Sequence, residues 1–180
     1  MHPDLHRFSR INVVGSSGSG KSTFGRALAD RLDIPYIELD EIFWRPEWTQ
    51  PKDEEFYADL EHALSGDSWV LDGNYSRTVP IKWRRAEAVI WLDMPYYQVL
   101  YGVISRTIRR SLRREVLWAG NRESLIKGFF QRDSVIYWSL SNLARVRRMY
   151  EEAMRSGEFS HLQFIRLRSR KEARQLLNAI

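Results

Sequence analysis

A glycine-rich segment near the start of the chain, Gly15–Ser22, constrains the fold more than any other feature of the sequence. It reads GSSGSGKS and matches G-x-x-x-x-G-K-[ST], a phosphate-binding loop between a strand and a helix. Glycine lets the backbone turn tightly, so that N–H groups face a bound anion at the helix N-terminus. Lys21 adds a positive charge for terminal phosphates, and the Ser22 hydroxyl is a Mg²⁺ ligand in such loops. The residues predicted to contact phosphate are Gly15, Ser16, Ser17, Gly18, Ser19, Gly20, Lys21, Ser22 and Thr23.

The residues on either side of this loop have the pattern that the motif requires. Arg10–Val14 is short and largely apolar, which predicts a buried strand that leads into the loop. Residues 21–32 place apolar side chains at helical spacing, which predicts a helix that leaves it. A strand, a glycine-rich loop and a helix in this order form the structural context in which the motif binds phosphate.

Further strands follow along the chain, and helical patterns separate them. The strands are predicted at residues 35–40, 68–72, 88–93 and 162–167, and the longer helices at residues 53–64, 96–114 and 122–156. This alternation predicts an α/β fold with a parallel, doubly wound sheet and helices on both faces. Ligands of such sheets bind beyond the carboxyl ends of the strands. The 180 residues are predicted to form a single domain.

Composition indicates where the protein works and what it binds. The chain has no cysteine, no apolar run near the roughly 20 residues that span a bilayer, and no signal-peptide layout at its N-terminus. We therefore expect a soluble cytoplasmic protein that does not enter membranes. The formal net charge is +5, and basic residues are concentrated in residues 77–122. Such a basic region contacts a nucleotide, a nucleic acid or only solvent.

Two aspartates end predicted strands at the same edge of the sheet. Asp72 is placed beside the P-loop, where a carboxylate holds Mg²⁺ through a water molecule. The alternative is a turn residue, because Asp72–Gly73 is also a turn dipeptide. Asp40 would orient an acceptor hydroxyl or the water on the metal, and the alternative is a helix cap. Ser22 and Asp72 are the predicted metal ligands.

Arginines and aromatic residues provide the other predicted contacts. Arg77, which follows the third strand, is placed to clamp an anionic acceptor group, unless it is an ordinary surface arginine. Arg106, Arg110 and Arg132 are predicted to neutralise charge that develops during phosphoryl transfer, with Arg110 on the nucleotide. The predicted catalytic residues are Lys21, Asp40, Arg106 and Arg132. The predicted acceptor contacts are Asp40, Trp44, Tyr75 and Arg77.

The segment Leu71–Thr78 resembles adenylate kinase, whose pattern at this place is L-D-G-F-P-R-T. The similarity continues at Trp91–Pro95 and in the helix through Arg106. Asn74–Ser76 stands where Phe-Pro stands in that family, and this departure leaves the acceptor open. The chain is similar to an adenylate-kinase-related bacterial branch often labelled DNA-topology-modulation proteins. The residues that carry this second likeness are Ile37–Asp40, Phe43–Pro46, Asp72–Tyr75 and Gly120–Ser124.

The resemblance implies a five-stranded parallel sheet of the nucleoside-monophosphate-kinase type, with an arginine-bearing lid over about residues 106–132. It implies that the P-loop binds the donor, ATP, with Mg²⁺ near Asp72. It also implies that Arg77 binds the phosphate of the acceptor, and that Arg106 and Arg132 act from the lid.

Three functions are compatible with the sequence. The favoured one is an ATP- and Mg²⁺-dependent kinase of a small acceptor, with a nucleoside monophosphate among the options. The P-loop, Asp72 and the arginines all serve this reaction, because phosphoryl transfer needs mainly positioning and charge neutralisation. The alternatives are a P-loop protein that binds nucleic acid, and a nucleotide-gated switch with weak ATPase activity.

Overall fold

A computed structural model describes residues 3–113, 115–121 and 135–180, with residues 135–142 described by their backbone alone. Arg132, a predicted catalytic residue, lies outside the described residues, as does the first part of the helix predicted at residues 122–156. Every other residue predicted to contribute to the site is described.

A five-stranded parallel sheet forms the centre of the fold. Its strands are β1 (Arg10–Gly15), β2 (Tyr36–Glu38), β3 (Trp69–Asp72), β4 (Ala88–Leu92) and β5 (Gln163–Leu167). The spatial order is β2-β3-β1-β4-β5, and each neighbouring pair is parallel. The chain leaves β1 towards one side of the sheet and β4 towards the other. The crevice beside β1 is therefore a topological switch point, where sheets of this kind bind ligands.

Helices connect the strands and cover both faces of the sheet. The α-helices are α1 (Lys21–Leu32), α2 (Leu39–Phe43), α3 (Asp53–Ala63), α4 (Val79–Arg85), α5 (Tyr96–Leu112), α6 (Val135–Arg155) and α7 (Arg170–Asn178). Short 3₁₀ helices lie at Leu5–Arg7, Pro46–Trp48, Ser76–Thr78 and Trp118–Gly120. In the part of the chain that the structure describes, no helix is both long and apolar enough to cross a membrane.

The core has two layers, one on each face of the sheet, because successive strand residues point to opposite faces. In β1, Ile11 and Val13 belong to one apolar cluster and Val14 to the other. Asn12, on the face of Val14, is fully buried in this central strand, and its amide is satisfied. It donates to the Leu71 carbonyl at 2.9 Å and accepts from the Trp83 indole at 2.9 Å. The doubly wound α/β fold predicted from the sequence is confirmed.

The prediction that Asp40 ends a strand is wrong. The predicted strand at residues 35–40 is reduced to Tyr36–Glu38, and the next residues form α2. Asp40 and Glu41 lie in the first turn of this helix, where acidic side chains interact favourably with the helix dipole. Asp40 is therefore held on a helix start that faces the carboxyl edge of the sheet.

Other boundaries differ by smaller amounts. The helix predicted at residues 96–114 ends at Leu112, and the helix predicted at residues 122–156 is described from Val135 to Arg155. Because α5 runs unbroken to Leu112, the first part of the predicted lid belongs to that helix. The remaining lid residues after 121 lie outside the described residues, so the lid stays a prediction.

Candidate active site

The P-loop connects β1 to the N-terminus of α1, at the crevice beside β1. The Ser19 N–H donates to the Ser16 carbonyl at 3.0 Å, which closes a tight turn. Gly20 has a φ of 96°, in the left-handed region that favours glycine, and precedes Lys21 without any side-chain cap on the helix. A methyl group on Gly20 would meet nothing within 4 Å, so the space beside the helix end is open. Uncapped N–H groups at a helix start form an anion site.

Helix α5 packs directly against the P-loop, and glycines on both sides make this possible. A methyl group on Gly18 would lie 2.5 Å from the carbonyl oxygen of Val99. A methyl group on Gly102 would collide with the carbonyl group of Gly18. One turn further along the helix, Arg106 donates to the Ser17 hydroxyl at 2.9 Å. The structure therefore brings Arg106, as predicted from the sequence, to the phosphate-binding loop.

Asp72 lies at the end of β3, and two hydroxyl groups orient its carboxylate. Ser22 Oγ donates to Asp72 Oδ2 at 2.6 Å, and the Tyr36 hydroxyl donates to the same oxygen at 3.0 Å. Burial and the nearby negative charge of Asp72 raise the pKa of Tyr36, which keeps its phenol protonated as a donor. The other oxygen, Oδ1, is buried without a hydrogen-bond partner among the described residues. Tyr36 was not predicted as a site residue.

The donors beside Asp72 fit a magnesium ion. The Ser22 hydroxyl and the unpaired Oδ1 of Asp72 are oxygen ligands, which Mg²⁺ prefers. Glu38 lies close by on β2 and forms an ion pair with Arg26 at 2.5 Å. Burial raises the pKa of Glu38, and the negative charge of Asp72 raises it further. In the described chain, no three His, Cys, Asp or Glu side chains form a metal-binding group. A Mg²⁺ ion here would complete its coordination with phosphate and water.

Asp40 lies in the first turn of α2, and the Tyr75 hydroxyl donates to its Oδ1 at 2.7 Å. Burial raises the pKa of the Asp40 carboxyl. The hydrogen bond from Tyr75 and the positive charge of Lys21 lower it, and Arg106 adds to this effect. The charge of Asp72 acts in the opposite direction and raises the pKa. The structure therefore brings Tyr75 to Asp40 and Arg106 to the P-loop, as the sequence predicted for this site.

Aromatic side chains form a wall beside Asp40. The ring centroids of Phe43 and Tyr75 are 4.7 Å apart, and those of Phe43 and Trp44 are 4.9 Å apart. Trp48 extends the wall with its ring 5.3 Å from Trp44. Trp44 and Tyr75, the aromatic residues predicted to contact the acceptor, thus lie in one contiguous group with the carboxylate.

Arg77 lies at this aromatic wall but already has an acidic partner. Its guanidinium is 2.8 Å from Asp53 at the start of α3. It also lies over the rings of Phe43 and Phe56, at 5.1 and 5.3 Å from their centroids. An anion that binds to Arg77 must therefore compete with Asp53. The guanidinium of Arg110 lies 5.5 Å from the ring centroid of Trp118, and its predicted contact with the nucleotide stays a prediction.

Asn74 connects the end of β3 to the P-loop, and reasoning from the sequence missed this contact. Its side-chain oxygen accepts from the Gly15 N–H at 2.9 Å, and its amide nitrogen donates to the Gly15 carbonyl at 2.6 Å. The Tyr150 hydroxyl also donates to Asn74 Oδ1, at 3.2 Å. The signal in the sequence was the departure from the adenylate kinase pattern at Asn74–Ser76, which indicated that this segment makes different contacts here.

Comparisons with known proteins agree with this fold. The family model described as "Shikimate kinase" matches residues 17–61, about a quarter of the chain. A shikimate kinase of Persephonella marina is 28% identical over 128 residues, which are 59% of this chain and 76% of the relative. The uncharacterized protein YqaC of Bacillus subtilis is 27% identical over 146 residues, 80% of this chain and 81% of the relative. The structure of a shikimate kinase from Acinetobacter baumannii in complex with shikimate has a TM-score of 0.59 at 18% identity, and covers 97% of this chain and 92% of that one.

The fold, the P-loop and these matches define a P-loop kinase, which is a phosphotransferase. Within that class the chain is similar to shikimate kinases, and its sequence resembles adenylate kinase at Leu71–Thr78. The favoured hypothesis of a kinase is therefore confirmed at the level of enzyme class. The nucleic-acid-binding alternative receives no support from the matches.

Proposed function

We propose that the protein transfers the γ-phosphoryl group of ATP to a hydroxyl group of a small polar acceptor of the shikimate type, with Mg²⁺. The observation that carries this proposal is the position of Asp40. Its carboxylate is held by the Tyr75 hydroxyl, lies within electrostatic reach of Lys21 and Arg106, and adjoins the aromatic wall. A carboxylate near a phosphate-binding loop and beside a group of aromatic side chains is suited to accept the proton of an acceptor hydroxyl.

The side chains divide the work of the transfer. The P-loop N–H groups and Lys21 bind the donor phosphates, while Arg106 on α5 neutralises charge on the transferred group. Tyr75 occupies Oδ1 of Asp40, and we assign the acceptor proton to Oδ2. Ser22 and Asp72 would hold Mg²⁺, which supplies additional positive charge between the phosphates.

Two observations favour a hydroxyl acceptor of the shikimate type over a nucleoside monophosphate. The family match covers residues 17–61 and so includes Asp40 and Trp44, and one similar structure is a complex with shikimate. The Arg77 guanidinium, which a nucleotide phosphate would need, is paired with Asp53. The pair is partly exposed, so a phosphate could displace Asp53 at modest cost. Nucleoside monophosphates therefore belong in the test.

The test is ADP release from ATP and Mg²⁺ with a panel of acceptors. The panel contains shikimate, hexoses, nucleosides and nucleoside monophosphates, each compared with a sample that lacks an acceptor. We expect ADP release that depends on a hydroxyl compound, and its loss in Lys21→Ala. Lys171→Ala, a change at an exposed lysine on α7, is the matched control and should leave the rate unchanged.

Each alternative gives a different result in this assay. Release that depends only on nucleoside monophosphates would overturn the hydroxyl acceptor and restore Arg77 as the acceptor clamp. Release at the same rate with and without every acceptor would indicate hydrolysis, as expected of a nucleotide-gated switch. Transfer that survives Lys21→Ala would contradict the assignment of the P-loop as the donor site.

A further inference from the structure

A lysine outside the residues assigned to the site lies fully buried beneath it. Lys82 is on α4, and its side chain has no exposed surface. Its ammonium donates to the carbonyl oxygen of Gly73 at 3.2 Å and to that of Asn74. Burial lowers its pKa to about 7, and the charge of Asp72 acts in the opposite direction. A buried ammonium group costs free energy unless it is hydrogen-bonded, so the two carbonyl groups are what keep Lys82 at this place.

The two carbonyl groups that Lys82 binds belong to the turn formed by residues 72–75. The side chains of this turn reach three different parts of the site. Their contacts are Asp72 with Ser22 on the metal side, Asn74 with Gly15 at the P-loop entry, and Tyr75 with Asp40 on the acceptor side. One short turn therefore sets the relative positions of the donor and acceptor sides.

The turn packs closely against β1 and α2, and residues outside the turn donate hydrogen bonds to it. The Gly73 N–H donates to the Val13 carbonyl at 3.2 Å, and a methyl group on Gly73 would collide with Leu39. The Asn12 amide makes a longer contact, 3.4 Å, with the Gly73 carbonyl. Lys82 supplies donors to the two successive carbonyls at once, and a buried carbonyl that loses its donor is costly.

We propose that Lys82 is a positioning residue for phosphoryl transfer, which fixes the turn at residues 72–75 and thereby aligns the P-loop with Asp40. Lys82 acts through Asn74 on the nucleotide side and through Tyr75 on the acceptor side. The part that concerns Asp40 rests on the proposed function. The part that concerns nucleotide binding requires only the P-loop.

The test is a double-mutant cycle on MgADP affinity, measured by calorimetry at a temperature where each variant is folded. Lys82→Met keeps the length of the side chain and removes both donors. Asn74→Ala removes the two bonds to Gly15 and the bond from the Tyr150 hydroxyl, and it leaves the backbone carbonyl that Lys82 binds. We expect each single change to weaken MgADP binding about tenfold. The double variant should be little weaker than the worse single variant, because both changes interrupt one connection.

Leu5→Ala is the control for loss of stability. Leu5 is buried before β1, at the amino end of the sheet opposite the P-loop, so its truncation destabilises the fold without a contact to the turn. MgADP affinity should be unchanged in this variant. Equal losses in Lys82→Met and Leu5→Ala at matched melting temperatures would overturn the proposal, because Lys82 would then be merely structural.

Two further results would also overturn it. The first is a double variant in which the two losses of MgADP affinity multiply, as they do for independent sites. The second is an unchanged MgADP affinity in Asn74→Ala, which would exclude Asn74 as the connection between the turn and the P-loop. This measurement can be made even if Lys82→Met does not fold. MgADP binding needs no acceptor, so the two proposals can fail separately. If no hydroxyl compound stimulates ADP release but the double-mutant cycle shows coupling, the hydroxyl acceptor is rejected and the role of Lys82 stands.

Discussion

Tyr75→Phe removes a single hydroxyl group from the acceptor side and should change the pH dependence of transfer. The hydroxyl donates to Asp40 Oδ1 at 2.7 Å and stabilises the carboxylate form. The other groups that act on this carboxylate are the cations Lys21 and Arg106 and the carboxylate of Asp72. Burial already raises the pKa of Asp40, and loss of the hydroxyl raises it further. The ionised base is then lost at higher pH, so the acidic limb of kcat/KM should move to higher pH.

The size of the rate effect follows from the hydrogen bond. A hydrogen bond to a charged group contributes about 1.5–3 kcal/mol, and 1.4 kcal/mol corresponds to a factor of ten. We therefore expect kcat/KM to fall about tenfold or more on the acidic limb. The fall should be smaller at high pH, where Asp40 is ionised in both proteins. The phenyl ring stays, so the contact with Phe43 should change little.

The assay is kcat/KM for ADP release against pH, with the acceptor identified by the panel and MgATP at saturation. Tyr57→Phe, a change on α3 of the same kind, is the control and should leave the profile unchanged. An equal loss of rate at every pH, with the limb in its original position, would refute Tyr75 as the group that tunes Asp40. A change in MgADP affinity of the same size would place the effect on the donor side instead.

Three further predictions concern Tyr36, Gly102 and Lys82. Tyr36→Phe removes a donor to Asp72, so we expect a several-fold higher Mg²⁺ requirement with an unchanged affinity for Mg²⁺-free ADP; an unchanged Mg²⁺ titration would contradict this role. Gly102→Ala places a methyl group against Gly18 and should cost about 1–3 kcal/mol of unfolding free energy together with nucleotide affinity, whereas wild-type affinity would show that α5 can shift. The lowered pKa of Lys82, about 7 against 10.5, means that the unfolded chain binds more protons between these values. The unfolding free energy of the wild type should thus rise with pH from about 7 to 9 relative to Lys82→Met, and parallel curves in urea titrations would exclude the shift.

Local patterns were sufficient to predict the framework of the donor site. A glycine-rich loop between an apolar strand and a helix can be recognised because all its determinants lie within about 25 residues of chain. The position of Asp72 at a strand end followed from the same kind of pattern. Asp40 was predicted near the site, but its helix was missed, because residues 35–40 also have the apolar composition of a strand.

Contacts between distant residues could not be predicted in this way. Asn74 and Gly15 are 59 residues apart, and they meet because β3 lies beside β1 in the sheet. Lys82 resembled any lysine on a short helix until the burial of α4 placed it beneath the turn. Nothing in the residues next to Tyr36 distinguishes its hydroxyl as a partner of Asp72.

The sequence by itself predicted a phosphate-binding loop at Gly15–Ser22 and a parallel sheet. Both properties are encoded by residues that are neighbours along the chain. Only the tertiary structure decided how the donor and acceptor sides are connected. The strand order brings the turn at residues 72–75 against the P-loop and α2, and buried hydrogen bonds then fix these elements relative to one another.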